Sequence, residues 1–349
     1  MKKFLIKLSY TVLPLWLVGV VAVMYHALVV YPNKQGDFGG LGKIPTRLYY
    51  EKPTDTMPPD TLFTLITELE DLKNVHADVL VCGDSFSRQM PYGYVNYLAH
   101  AGWNVANFPE IGGNPFQRAW DMMNLEYVDA DNAPTLVVES VERHLVSRLL
   151  NIDFQNDTLP DINKLQSTPT NEWALLEAKN MLELRMKGFF FEKTGKLPPN
   201  LPLLRLKLSE DLFSSTHATD LYVYIDDVTC GFSIEDSVKV RLKQNVDALF
   251  AKAHEKHINL LILVCPDRYD LYQEYIEQNP FPPKTVNEDF RRLMGDTPNI
   301  VIGKELLLPH LHAGEKDLYY WDDTHWSYKS AKIVADTLSE RLNACQGGV

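Results

Sequence analysis

Apolar and polar positions follow a repeating order along most of this chain. The short apolar runs ADVLVC (77–82), WNVANF (103–108), TLVVESV (135–141), INLLILVC (258–265) and NIVIG (299–303) each predict a buried β-strand. Between them GYVNYLAHA, NPFQRAWDMMNLEYV, SIEDSVKVRLKQNVDALFAKAHEKH and, last, SYKSAKIVADTLSERLNA carry helical spacing. Strands apolar on both faces and separated by helices predict a parallel sheet covered on both sides, a doubly wound α/β sandwich. DTLFTLITELEDLKN (60–74) also has helical spacing, with Asp60 or Thr61 as its N-cap. The rhythm breaks over about 144–230, which reads as an insertion or lid between two core strands. A helical stretch there runs into Phe189, Phe190 and Phe191, read as packing residues, and KLPPNLP then interrupts the chain.

A different pattern opens the chain. Lys2, Lys3 and Lys7 precede an uncharged stretch from residue 8 to residue 31. As a helix it would be about 36 Å long, enough for a hydrocarbon layer of roughly 30 Å. No small-x-small cleavage site follows, which favours an uncleaved membrane anchor over a signal peptide. Pro14 is positioned to kink this helix and His26 to lie near its far interface. Lysines on the leading side place the N-terminus in the cytoplasm and residue 32 onward outside it, in the periplasm of a Gram-negative cell. Residues 32–59, rich in Gly and Pro, read as a juxtamembrane linker, and 60–349 as the soluble domain.

Composition narrows the function. A net charge of -12 with no Lys/Arg cluster argues against a nucleic-acid binder. Four cysteines are too few for a disulfide framework in 349 residues. Cys82 and Cys265 end apolar runs and read as small buried hydrophobes; Cys230 and Cys345 are unassigned. His310, His312, Asp317, Asp322, Asp323 and His325 fall in one region, and H-x-H on an extended chain could chelate. With no third ligand at a fixed spacing, no metal is expected, nor any cofactor.

Two short blocks carry chemistry. In VLVCGDSFSRQ an apolar strand runs into Gly83, Asp84 and Ser85, and the carboxyl end of a parallel strand is where ligands gather. Ser85 is thus a candidate nucleophile, but a hydroxyl needs a base to take its proton. YYWDDTHW offers His325 just ahead of the last helix, which Ser327 caps. Asp322 or Asp323 would fix the imidazole's tautomer. Residues two apart share a side of an extended chain, favouring Asp323; a tight turn favours Asp322. We expect Asp323. Asp267 and Arg268 in CPDRYD read as closing a strand end or supporting the site from behind.

GDSFS early and D-x-x-H late resemble the first and fifth blocks of the SGNH, or GDSL-type, hydrolase superfamily. DTHW, GDSFS, VVESVERHL (137–145), LVCPDRYDLY (263–272) and GDFGGLGKIP (36–45) are similar to its alginate O-acetylation branch, the AlgJ/AlgX-like proteins. The resemblance implies a flavodoxin-like three-layer α/β/α fold. It also implies a Ser-His-Asp enzyme that transfers an acyl group, most simply acetyl, to a cell-envelope or exported polysaccharide. A multi-span membrane acyltransferase would be the acyl donor. NFPEIGGNPF (107–116) resembles the family's second block, so Gly113 N–H and the Asn114 side chain join Ser85 N–H as expected oxyanion donors. Arg143 is a candidate for holding an acyl or anionic group, the other reading being an ion pair with Glu139 or Glu142. The chain departs from the family twice. In the alginate proteins D-T-H-W precedes the serine, whereas here it follows, and the third-block G-x-N-D is absent. A carbohydrate acetyl esterase with the same three residues, or a non-catalytic glycan-binding or scaffold protein of the envelope, are the alternative readings.

Overall fold

The apolar runs become neighbouring strands of a single sheet. The computed structural model describes residues 2–25, 60–66, 69–110, 113–156, 203–214, 218–321 and 323–346. Its strands are β1 (Thr64–Leu65), β2 (Val79–Gly83), β3 (Val105–Pro109), β4 (Thr135–Val141), β5 (Leu203–Lys207), β6 (Asp220–Tyr224), β7 (Asn259–Cys265) and β8 (Ile300–Ile302). Six of them form one sheet in the order β1-β3-β2-β4-β7-β8, every pairing parallel. Without the two-residue edge strand β1, this is the 2-1-3-4-5 order of flavodoxin-like sheets. In that order the chain steps outward in opposite directions on either side of β2. The crevice between the carboxyl ends of β2 and β4 is therefore the expected ligand position.

The helices are α1 (Lys2–Tyr25), α2 (Leu69–Leu72), α3 (Tyr94–His100), α4 (Pro115–Asn124), α5 (Glu142–Leu150), α6 (Asp236–Glu255), α7 (Arg268–Tyr272), α8 (Val286–Met294), α9 (Gly303–His312) and α10 (Tyr328–Gln346). Alternation along β2 sends Leu80 and Cys82 to one face of the sheet and Val79 and Val81 to the other. On the first face they join Leu136, Val138, Ile262 and Val264 under Phe116, Met122, Leu145, Leu149, Leu242 and Val246 of α4, α5 and α6. Each such side chain, taken wholly out of water, contributes about 1.5–3 kcal/mol. Helices α3, α9 and α10 pack together as a second group.

Two expectations need correction. Residues 60–74 do not make one helix: β1 pairs with β3 there, and only Leu69–Leu72 is helical. The interrupted region holds a core helix, α5, and a second, antiparallel sheet of β5, which is partly exposed, and β6, which is largely buried. Phe189, Phe190 and Phe191 lie outside the described residues. The expected span of residues 8–31 lies only partly within the described residues. A helix forms over Lys2–Tyr25 with Pro14 inside it, but among the described residues no helix is long and apolar enough to cross a membrane. His26 and the rest of the apolar run to residue 31 lie outside the described residues. The chain divides into two compact units, residues 1–52 with 168–202 and residues 53–167 with 203–349; α1 is the described part of the first. All remaining elements belong to the second.

Candidate active site

β2 ends at Gly83, and the next residues turn at once into a 3-10 helix, Ser85–Arg88. Asp84 caps that turn, its Oδ1 accepting from Phe86 N at 3.2 Å. Ser85 thereby stands at the carboxyl end of β2, beside β4, where the sheet's strand order reverses. From the far end of the chain, the loop before α10 brings His325 to it. His325 Nε2 and Ser85 Oγ are 2.8 Å apart, and His325 Nδ1 lies 2.6 Å from Asp323 Oδ1.

The local fold explains why Asp323 meets the ring. Tyr319 and Trp326 are joined by an antiparallel bridge, and Tyr320 N donates to His325 O at 3.3 Å. Asp323 Oδ1 also accepts from His325 N at 2.9 Å, the side chain capping the backbone two residues on. The i, i+2 pairing expected from strand alternation is therefore reached through a side-chain-capped turn. Asp322, the alternative acid, lies outside the described residues. Phe86 packs on His325 with ring centroids 4.9 Å apart and on Trp326 at 4.9 Å, edge to face, which fixes the imidazole plane. Ser327 Oγ accepts from Lys329 N at 3.2 Å, the expected cap of α10.

Beneath Ser85 lies a buried polar network that the sequence did not announce. Asp84 Oδ2 accepts from Val141 N at 2.9 Å and from Arg148 Nη1 at 2.8 Å; Arg148 Nη1 also reaches Ser140 Oγ at 2.7 Å. Burial alone would raise the Asp84 carboxyl, but a hydrogen bond from Glu139 and the Arg148 guanidinium outweigh it and hold it below its ordinary value. Glu139 goes the other way, pushed well above the usual carboxylate range by burial and then by the Asp84 charge. Cys265 Sγ lies 3.3 Å from Glu139 Oε1. Asp84 thus ties the serine turn to β4 and α5. Both Cys82 and Cys265 are buried and unbridged, as expected of them.

Gly83 is required by the same packing. A Cβ there would lie 2.5 Å from Glu139 Oε2 and 2.8 Å from Glu139 Cβ. We therefore expect Gly83→Ala to lose about 1–3 kcal/mol of stability, the cost of overpacking a filled site. Urea denaturation measures this; a wild-type midpoint for the variant would refute the close packing.

The expected oxyanion donors fare unequally. Ser85 N–H makes no hydrogen bond among the described residues and remains available. Asn114 is the N-cap of α4: its Oδ1 accepts from Phe116 N and Gln117 N, and its Nδ2 donates to Arg148 O at 2.8 Å. Its oxygen caps α4 and one of its two Nδ2 hydrogens is held by Arg148 O, so the Asn114 side chain serves here as a helix cap. Gly113 N donates to Glu110 O at 3.4 Å, and a Cβ at Gly113 would lie 2.1 Å from Glu110 Oε1. Close approach to Glu110 accounts for that glycine.

Arg143 is also reassigned. It pairs neither with Glu139 nor with Glu142 but with Asp267 at 2.7 Å and Asp227 at 3.3 Å. It lines a cavity of about 210 Å³ with Val146, Leu150 and Ser233. Arg148, which does reach Asp84, lies five residues and about 140° round α5 from Arg143, so the two arginines serve different sides of the helix. Lys284 completes the Arg143 cluster, contacting Asp267 Oδ2 at 2.5 Å and Glu142 Oε1 at 3.9 Å. No group of three or more potential ligands for a metal occurs among the described residues. His310 and His312 are on α9, not an extended chain, and each has its own partner, Glu315 and Glu274, both at 2.9 Å.

Burial first, then repulsion by Asp267, raises Asp227 from its ordinary 3.8 to about 7, against the pull of Arg143 and Lys284. An acid raised by folding keeps its proton after the unfolded chain has lost it. Its contribution to stability is full below 3.8 and falls as pH rises to about 7. His144, held below its ordinary value by burial and then by Arg143 and Arg148, acts oppositely over part of that range. The Asp227→Asn variant isolates the aspartate. Its melting temperature should gain on wild type progressively between pH 5 and pH 7, then hold that gain. A pH-independent difference would contradict the assignment.

Residues 239–348 match the family model described as SGNH hydrolase-like domain, acetyltransferase AlgX. The chain is similar to the SGNH alginate O-acetyltransferase branch. The matched segment contains Asp323 and His325 but not Ser85. The mostly parallel α/β sheet fits an SGNH-like fold, and the match supports acyl- or acetyl-transfer chemistry. No curated protein and no solved structure matches the chain.

Proposed function

We propose that this chain is a serine-dependent O-acetyltransferase of the SGNH type, acting on a cell-envelope or exported polysaccharide. The observation that carries the reading is the chain of contacts from Ser85 Oγ through His325 to Asp323, 2.8 Å and 2.6 Å long. In the proposed first step Ser85 Oγ bonds to the acyl carbon while its proton passes to His325 Nε2. Asp323 holds the proton on Nδ1 and offsets the imidazolium charge. Collapse of the tetrahedral species breaks the bond to the donor oxygen, which leaves with the proton from Nε2. A sugar hydroxyl then gives its proton to Nε2, bonds to the acyl carbon and releases Ser85 as the hydroxyl. Ser85 N–H is the donor aimed at the transient oxyanion.

The acceptor is tested directly. Incubating the protein with an activated acetyl ester and an oligosaccharide should put acetyl on the sugar; release as acetate alone makes it a carbohydrate acetyl esterase.

We further propose that the domain works outside the cytoplasm, attached to the membrane by its N-terminal helix and supplied by a multi-span acyltransferase. Tyr10, Leu15, Trp16 and Val18 of α1 are exposed, which supports attachment to an apolar phase. Retention of the full chain in carbonate-washed membranes, with the domain open to external protease in spheroplasts, is the expected result.

A further inference from the structure

Arg268 carries a charge into the interior and spends it on the loop that holds the histidine. It is the first residue of α7, directly after the turn that leaves β7, and only 1% of it is exposed. Its Nη1 donates to Trp321 O at 2.9 Å and to Asp323 O at 3.0 Å. The guanidinium stands over the Phe213 ring, 4.9 Å from its centroid. A buried guanidinium is costly unless its surroundings are polar and fixed, so one bound to two main-chain carbonyls constrains them strongly.

Those carbonyls are informative. Asp323 begins the turn in which its Oδ1 meets both His325 N and His325 Nδ1, and Trp321 lies two residues ahead of it. Trp321 is also held by the small sheet. Trp321 Nε1 donates to Asp220 O at 3.1 Å, and the Trp321 and Tyr222 rings meet edge to face at 5.1 Å. Phe213 and Ser214 belong to the segment joining β5 and β6, and Ser214 is tied to Asp317 by two bonds, N to Oδ1 at 2.7 Å and Oγ to Oδ2 at 2.6 Å.

We propose that Arg268 is a positioning residue, and that with the β5–β6 sheet it braces Trp321 and the 323–325 turn so that Asp323 holds His325 against Ser85. This rests on the catalytic reading given above. It assigns the hairpin inserted between α5 and α6 a role as the support of the base rather than a cover over the substrate.

The test uses Arg268→Lys, which keeps the charge but cannot span both carbonyls, and Phe213→Leu, which removes the ring beneath the guanidinium. The readouts are thermal melting, the rate at which a fluorophosphonate labels Ser85, and the pH dependence of that rate. A histidine that loses its carboxylate is a weaker base, so the acid limb of the profile should move to lower pH. For folded Arg268→Lys we expect labelling roughly 10- to 100-fold slower, the scale of a small misplacement of a reacting group. Phe213→Leu should move both readouts in the same direction by less, and it decides the matter if Arg268→Lys does not fold. Folded variants with an unmoved acid limb overturn the proposal, whatever their stability. If wild type itself is not labelled at Ser85, the catalytic reading falls and this inference with it; labelled wild type with indifferent variants sinks the inference alone.

Discussion

Replacing Ser85 by alanine is expected to abolish acyl transfer, lowering turnover by roughly 10⁴-fold or more while leaving the fold intact. The size follows from what the hydroxyl does: without Oγ no acyl-enzyme forms, and only binding and the oxyanion donor remain. The mildness toward folding follows from the surroundings. Ser85 is partly exposed, and its Oγ contacts His325 Nε2. The turn itself is held by Asp84, through Phe86 N, Val141 N and Arg148. Turnover of an activated acetyl ester and a melting curve, measured side by side, check both halves of the expectation.

Asp323→Asn is expected to cost about 10⁴-fold in turnover, the scale seen when the acid of a serine triad becomes an amide. The amide can still accept from His325 N through its oxygen, so the turn should persist. With its oxygen committed there, the amide presents a weaker, neutral acceptor to Nδ1. It gives no charge to offset the imidazolium, and it can select the tautomer that leaves Nε2 protonated and useless as a base. Asp322→Asn, by contrast, should leave turnover within a few-fold of wild type. Kinetics on both variants, with their melting temperatures, decide between the two neighbouring acids.

Much of the sheet could be read from the chain because parallel strands buried on both faces must be apolar throughout. TLVVESV coincides with β4, and the other four runs fall within two residues of theirs. β1 escaped that logic because a two-residue edge strand has no period. β5 escaped because LLRLK, with Arg205 and Lys207 exposed, offers no unbroken apolar run.

The same distinction holds at the site. Ser85, His325 and Asp323 were legible because nucleophile, base and acid each have a characteristic residue type beside a recognisable element boundary. The supports were not. Arg148 meets Asp84 across 64 residues, and Arg268 meets Asp323 across 55. The signal that existed was Asp84 itself, a carboxylate directly after a buried strand, which needs a cation or several N–H groups to remain ionised. Its partner could not be named before the fold put α5 beside β2. Asn114 and Gly113 show the same limit: a Gly-Asn pair ahead of an apolar helix serves a cap as readily as an oxyanion.

The most direct test of the central claim is to trap the acyl-enzyme. The protein is mixed with an activated acetyl ester, quenched in acid within the first turnover, digested and examined by mass spectrometry. A 42-Da acetyl increment on the peptide carrying Ser85, absent from Ser85→Ala and strongly diminished in Asp323→Asn, is the predicted result (about one acetyl group per chain at saturation). Turnover of the ester with no adduct on Ser85, or an adduct undiminished in Ser85→Ala, would contradict it.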